Sequence, residues 1–552
     1  MSENEKSWSS MTIGALLKGY WQYLCDNVQM VVLLSLTAIM VYGARLFNGA
    51  IGTDTEIMMS SGGTTSFFIQ IGRFCLVWLQ QLTGIGNVNM YAANFASIIL
   101  LVMAAMAWNY WWSLLTKGQI NKITLTLFGI YFVSSGVWQE ALYFTFQAGE
   151  TSLLLLLMPL IMYFLYRGFL TRIRGQVIAG TIMLIFTTST YQASVVYFVG
   201  GVLASFILLA LLAPEQLPAG AKAQLVLLLK FAIAIVIAVA VWSALKTAVM
   251  AVYGLTPATY LTGMAGTHGK GLLHGLMKSA AYAFMLIMGN CSFVDPILYR
   301  FAKHGASAVQ NYHANFYGVA SIGYIPLLLA YVIIVYKSKL TVVQKLIAWL
   351  TPLCIFIFPV VGGGDAPLRA QWSIPLLLGF VFMVVLYNTR GMWKNILTVI
   401  VVITCFYQVQ HVAGENYTAL RMYEYDCAVV EHSNTDMYEV LAGDDPSAVK
   451  VLLYGAPEPD FNGLFVPATM SRHSIFYWDH NTKIEGTERG LSFFQTRGYK
   501  WDRVKTDDPD LEDLRAKAET QPSYPYPGYV QRYGNTIVVK YSESIYEPKP
   551  ES

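Results

Sequence analysis

Between residues 28 and 409 apolar residues gather into long runs separated by short polar breaks. A helix crossing a bilayer needs about 20 mostly apolar residues, because lipid leaves open backbone groups unsatisfied. About eleven runs meet that need, near 28–47, 90–114, 123–139, 151–167, 176–191, 194–213, 224–246, 314–336, 340–361, 371–388 and 393–409. Short breaks carrying Lys117 with Lys122, then Arg167, Arg172 and Arg174, then Lys222, Lys337 with Lys339, and Arg390 with Lys394 recur at every second gap. Positive loops face the cytoplasm, so the pattern predicts an inner N-terminus and, with an odd number of spans, an outer C-terminal segment. The first 27 residues read as a polar or amphipathic cytoplasmic stretch, and no A-x-A-like site follows the first run. An uncleaved anchor is expected.

After residue 409 the pattern changes. Residues 416–441 read as helix and Val449 to Tyr454 as an apolar strand. Tyr529 to Arg532, a Tyr533-Gly534-Asn535 turn and Thr536 to Tyr541 read as a hairpin. The expected architecture is an all-α polytopic membrane protein with a small C-terminal extracytoplasmic α/β domain at 410–552. The body, 28–409, carries outer loops at 48–89, 140–150 and 247–313, the first holding an apolar, surface-lying helix from Phe67 to Leu82.

Composition supports this reading. Hydrophobic residues make up 55% of the 552, charged residues only 12%, about half the share usual in soluble proteins, and mean hydropathy is +0.48. Positions 1–408 hold 10 acids and 22 bases, and the rest of the chain holds 23 acids and 14 bases. The basic residues lie thinly in short loops rather than in one patch, which argues against nucleic-acid binding. Six scattered cysteines form neither a zinc pattern nor a disulfide framework. His268, His274, His304 and His313 lack the helical i,i+4 spacing of a metal site. Trp111, Trp112 and Trp372 read as an interfacial aromatic belt.

The acids of the body carry the chemistry. Six of them fall on the expected outer side: Asp54, Glu56, Glu140, Glu150, Asp295 and Asp365. Ionisable groups at a membrane are costly and mark function by default. Asp54-Thr55-Glu56 follows the first span and Glu140 ends the third, so two early loops can bring three carboxylates to one water–lipid boundary. A carboxylate there suits general-base removal of a proton from a sugar hydroxyl. Arginine's fork suits a departing phosphate, with Arg369 beside the glycines 362–364 and Asp365, Arg73, and the basic third loop with Lys303 as candidates. Gln147 in the second loop is a further polar substrate contact. Plainer roles compete: Asp54 or Glu56 capping a loop helix, Glu140 pairing with Arg73 or Arg45, and Arg369 pairing with Asp365 or snorkelling.

Four segments resemble one family. Residues 51–82, with IGTDTEIMMS and FIQIGRFCLVWLQQL, are similar to the D-T-E … GR-F pattern of bacterial integral-membrane glucosyltransferases of the O-antigen serotype-conversion type. The segments WQEALYFTFQAGETS (138–152), DAPLRAQWSIP (365–375) and YPYPGYVQRYGNTIVVKYS (524–542) fit as well. The resemblance implies a GT-C-like fold and inverting transfer of glucose from undecaprenyl-phosphate-glucose to O-antigen repeat units of lipopolysaccharide at the periplasmic face of the bacterial inner membrane. It implies Asp54 and Glu56 as the acidic pair, Glu140 as the second-loop acid and Arg369 as the late-loop arginine. A flippase and a donor-synthesising glucosyltransferase are implied as functional partners. No cofactor is expected beyond the lipid-linked donor, a divalent-cation requirement being left open. The rival readings are a flippase or transporter for a lipid-linked sugar, which tends to show repeats and broken charged helices absent here, and an O-antigen ligase or polymerase.

Overall fold

The computed structural model describes residues 8–61, 65–83, 89–258, 273, 277, 320–361, 367–457, 473–476 and 485–543. The apolar runs fold as helices. An amphipathic α1 (Ile13–Asp26) leads into α2 (Val28–Leu46), followed by the short α3 (Thr55–Ser61), α4 (Thr65–Gln70) and α5 (Phe74–Thr83). Then come α6 (Met90–Leu115), α7 (Lys122–Val133), α8 (Gly136–Tyr143), α9 (Ala148–Thr171), α10 (Arg174–Thr190), α11 (Ala193–Leu212) and α12 (Ala221–Val252). Beyond the undescribed stretch lie α13 (Ala320–Lys337), α14 (Val342–Leu350), α15 (Ile357–Val361), α16 (Ser373–Asn388) and α17 (Gly391–Leu441). Six helices among the described residues are long and apolar enough to cross a membrane: α2, α6, α9 with its leading turn, α11, α12 and α17. The protein is a mostly helical membrane protein, and the remaining expected runs coincide with shorter helices.

Three expectations change. The run 123–139 is two helices, broken at Ser134-Ser135. The break is tolerated at depth because its backbone is satisfied inside the protein. Gln408 donates to the Tyr131 carbonyl at 2.8 Å and to Ser134 Oγ at 2.9 Å, and the Tyr42 hydroxyl donates to the Val133 carbonyl at 2.9 Å. The helix expected over Phe67 to Leu82 breaks at Ile71-Gly72-Arg73, and it is only partly superficial, with Phe67, Trp78 and Leu82 exposed. Phe68, Ile69, Phe74 and Leu76 are buried against Phe144, Phe146 and Met250. Trp111, Trp112 and Trp372 are buried in the body's core rather than ranged as a belt. Trp111 donates to Ser205 Oγ at 3.0 Å, which removes its need for an interfacial partner.

The boundary at 409/410 falls inside a helix. α17 runs for 51 residues, about 76 Å at 1.5 Å per residue, far beyond a hydrocarbon core of about 30 Å. Hydropathy falls after Gln408, but no proline interrupts the helical path, so the last apolar run continues as a stalk. Its distal part packs on a four-stranded sheet, β1 (Lys450–Tyr454), β2 (Asp502–Arg503), β3 (Val530–Tyr533) and β4 (Thr536–Lys540), in the order β2-β1-β4-β3. β1 is parallel to β2 and β4, and β3 and β4 form the expected hairpin. Alternation along β1 divides the core. Val451 and Leu453 pack with Val429, Val430 and Met437 of α17 and with Phe493 and Phe494 of α18 (Glu485–Thr496). Leu452 faces Leu511, Leu514 and Ala518 at α19 (Leu511–Thr520) on the other side.

Candidate active site

The loop after α2 is locked to its neighbours before any charge is considered. Ile51 is buried in the core of the C-terminal segment, among Val430, Phe493 and Tyr541. Gly52 lies against the second loop so closely that a Cβ there would stand 1.7 Å from the Tyr143 carbonyl oxygen. That carbonyl accepts from Arg45 Nη2 at 2.8 Å, and the Tyr143 hydroxyl donates to the His473 carbonyl at 2.7 Å. Tyr143 therefore joins the first loop, the second loop and the C-terminal segment. Gly52→Ala is expected to lower the unfolding midpoint, at a cost of roughly 1–3 kcal/mol as in other overpacked sites. Thermal unfolding of purified protein checks this, and unchanged melting would exclude the docking role.

The acidic pair emerges from that lock. Asp54 has φ +70°, an uncommon backbone for a non-glycine residue but one that aspartate adopts more readily than most, and it stands directly before α3. Its carboxylate accepts from Arg489 Nη2 at 2.9 Å, while Arg489 Nη1 donates to Glu56 Oε1. One guanidinium thus bridges both carboxylates. Glu56 is wholly buried, whereas the Asp54 side chain remains 34% exposed. Burial pushes the Glu56 carboxyl up to about 7 against the lowering effect of Arg489, and the neighbouring Asp54 charge raises it further.

Arg489 carried no signal in the sequence, since it lies on an amphipathic helix far along the chain. Its position depends on Gly490, where a Cβ would meet Leu453 Cδ1 at 2.4 Å. That close approach seats α18 on β1 and turns Arg489 towards the first loop. Two other polar pairs at this junction were also missed. His473 Nε2 meets Glu415 Oε2 at 3.2 Å, and Asp426 accepts from Ser474 Oγ at 3.0 Å and from the Ile475 amide at 2.7 Å. All three acidic and imidazole side chains are buried, so a sequence reading that took 410–552 as a separate body had no reason to pair them.

The second loop brings the next group. Glu140 lies on α8, one turn before Tyr143, and pairs with Arg369 at 3.0 Å, so its partner is neither Arg73 nor Arg45. Arg369 also covers the Phe144 ring at 4.6 Å, and its carbonyl accepts from Trp372 Nε1 at 2.8 Å. Trp372 stacks on Tyr191 at 4.9 Å, and the Arg73 guanidinium lies 4.1 Å over the other member of that pair, Tyr191. Arg73 reaches Gln192 Oε1 at 3.3 Å and Gln147 Oε1 at 3.4 Å. Among the described residues no carboxylate pairs with Arg73. The structure thus joins Asp54 with Glu56, Glu140 with Arg369, and Arg73 with Gln147. Lys303 and Asp365 lie outside the described residues, as do Asp295 and the four third-loop histidines. Glu150 is buried in the first turn of α9. No cluster of three or more potential metal ligands occurs among the described residues, and the described cysteines are free thiols.

Carboxylates and arginines thus gather where the apolar helices meet the C-terminal segment. The family model for the glucosyl transferase GtrII matches residues 43–386, which takes in the first loop, the second loop and Arg369. The chain belongs to that glucosyltransferase family, and it is therefore an enzyme. No curated protein matches the chain.

Proposed function

We propose that the enzyme transfers glucose from undecaprenyl-phosphate-glucose to O-antigen repeat units at the periplasmic face of the bacterial inner membrane, with inversion at the anomeric carbon. The observation that carries this reading is the pair Asp54 and Glu56 clasped by Arg489, with only Asp54 open to an incoming substrate. A base must touch the hydroxyl it deprotonates, so Asp54 takes the base role and Glu56, through Arg489, the positioning role. The acceptor oxygen forms its bond to the anomeric carbon as the bond from that carbon to the phosphate oxygen breaks. The hydroxyl proton passes to the Asp54 carboxylate, and the electron pair leaves with the polyprenyl phosphate. Arg73, which has aromatic and amide contacts but no carboxylate partner among the described residues, is suited to the departing phosphate, and Gln147 orients it. Arg369, already neutralised by Glu140, holds the second loop and gives a lesser share of that stabilisation.

Membership of a glucosyltransferase family favours this reading over a transporter, and the positive-loop pattern supports an N-terminus inside and a C-terminal segment outside. The GT-C-like architecture, the flippase and the donor-synthesising enzyme belong to the same proposal. The test is purified enzyme with synthetic undecaprenyl-phosphate-glucose and a panel of O-antigen polysaccharides, read by mass and linkage analysis between pH 5 and 9. One added hexose per repeat with inverted configuration is expected. A change in chain length instead would indicate a ligase or polymerase. Glu56 ionises near pH 7, so kcat/KM should rise with pH through that value as the Arg489 clasp becomes fully charged. Stability has the opposite sign. A folded-state carboxyl raised above its ordinary 4.5 contributes stability fully present below that value and lost as pH rises through about 7. Glu56→Gln should remove the acid limb and retain measurable transfer. A limb that persists unchanged in this variant would exclude Glu56 as its source.

A further inference from the structure

At the end of the helix bundle opposite the acidic pair lies a cavity of about 1070 Å³. Two helices fix the separation. α9 starts beside Gln147 and reaches the cavity at Thr171, and α12 leaves the cavity at Lys222 and ends near Met250, which packs on the first-loop core. The 24 residues of α9 set the two sites about 36 Å apart. This cavity is therefore distinct from the glycosyl-transfer site.

Its walls combine charge with grease. Lys222, Val226 and Lys230 lie along one face of α12 at four-residue intervals, and Arg172 stands just past the end of α9. Lys117 is neutralised by Glu215 at 2.6 Å. Among the described residues no carboxylate pairs with Arg172, Lys222 or Lys230, the last lying 6.0 Å over the Phe169 ring. Trp8 closes one side and is held there by its hydrogen bond to Gln216 and its edge contact with Trp111 at 5.5 Å. Independent snorkelling would carry each cation to water on its own path. Here three cations without a carboxylate partner among the described residues line one preformed space.

The same cavity adjoins the most exposed span. Only 22% of the apolar window of α12 is buried, the smallest share of the six candidate spans. From the cavity, exposed Val226, Leu229, Ile233 and Val236 continue along α12. A phosphate seated among Arg172, Lys222 and Lys230 could extend an aliphatic chain over that strip without leaving apolar surface. Basic pockets between spanning helices are suited to anionic head groups. We propose that this cavity binds the phosphate head group of an anionic membrane lipid, whose chain lies along α12.

The experiment uses the full chain, purified in an uncharged detergent and titrated with phosphatidylglycerol, phosphatidylcholine or inorganic phosphate, with bound species counted by native mass spectrometry. Phosphatidylglycerol should be retained at least roughly tenfold better than phosphatidylcholine. At about fivefold per basic side chain, the triple variant Arg172→Gln/Lys222→Gln/Lys230→Gln should lose retention on the order of 10²-fold. Lys337→Gln/Lys339→Gln, which alters cations outside the cavity, should retain the preference. The exposed Lys222→Gln single variant supplies a readout should the triple variant misfold, with a fivefold loss expected. Equal retention of the two lipids, or an undiminished preference in Lys222→Gln, would overturn the proposal. Displacement of phosphatidylglycerol by an equal concentration of inorganic phosphate would mark a soluble-anion site and overturn the lipid assignment.

Discussion

Asp54→Asn should lower glucosyl transfer by about 10²–10⁴-fold, the range usual for loss of a general base, while the protein still inserts and melts near the wild-type temperature. Asparagine keeps the size of the side chain and an oxygen that can accept from Arg489 Nη2, the contact Asp54 makes at 2.9 Å. What it loses is the capacity to take up the acceptor's proton. The loss should appear in kcat, since the base acts as the new bond forms and not when the lipid donor binds. Glu56→Gln should be milder, because Glu56 is fully buried and reaches the substrate only through Arg489. Steady-state kinetics of both purified variants with the lipid donor decides the matter. Wild-type turnover in Asp54→Asn would remove it from the chemistry, and equal losses in the two variants would erase the distinction between base and positioning group.

The second large effect belongs to stability. Arg489→Met removes the charge at similar volume and leaves Glu56 buried without its counterion. Breaking a buried ion pair from one side costs about 3–5 kcal/mol, a loss expected in full only above pH 7, where Glu56 is ionised, and smaller below it, where the stranded carboxyl takes up a proton. Combining it with Glu56→Gln should recover part of that loss, since the stranded charge is then gone, and the shortfall from additivity measures the coupling. Unfolding of the single and double variants, followed by denaturant titration, gives both numbers. If Arg489→Met melts like the parent protein, the clasp contributes nothing and α18 is held by Ile51, Phe493 and Phe494 alone. Transfer should fall as well, because Asp54 would lose the partner that orients it.

Some of this site was legible in the chain. Asp54, Glu56 and Glu140 stand out because charges are scarce among apolar runs, and scarcity is a signal that needs no coordinates. Arg73 was legible for the same reason, and it does meet Gln147, the polar residue singled out in the second loop. Arg369 was visible as well, but its pairing with Glu140 was not, since 229 positions separate them. Arg489 was invisible. It belongs to a charged segment where one more arginine is ordinary, and its importance arises only from the closeness of Gly490 to Leu453. The break at Ser134-Ser135 was hidden too, because hydropathy measures transfer into lipid and says nothing of whether Gln408 and Tyr42 wait nearby to satisfy the opened carbonyls.

By itself the order of apolar and polar residues determined that this chain builds a helical membrane body, that its ending folds around a β-hairpin, and that a few acids sit at helix ends. Those outcomes follow from local composition, because burial in lipid or in a small core is decided segment by segment. Tertiary structure alone decided which charges meet: that a tail arginine clasps two first-loop carboxylates, that the last span continues as a 51-residue stalk, and that three cations share one cavity at the far end. Electrostatic pairing acts over a few ångströms and ignores distance along the chain, so only the folded arrangement could assign it.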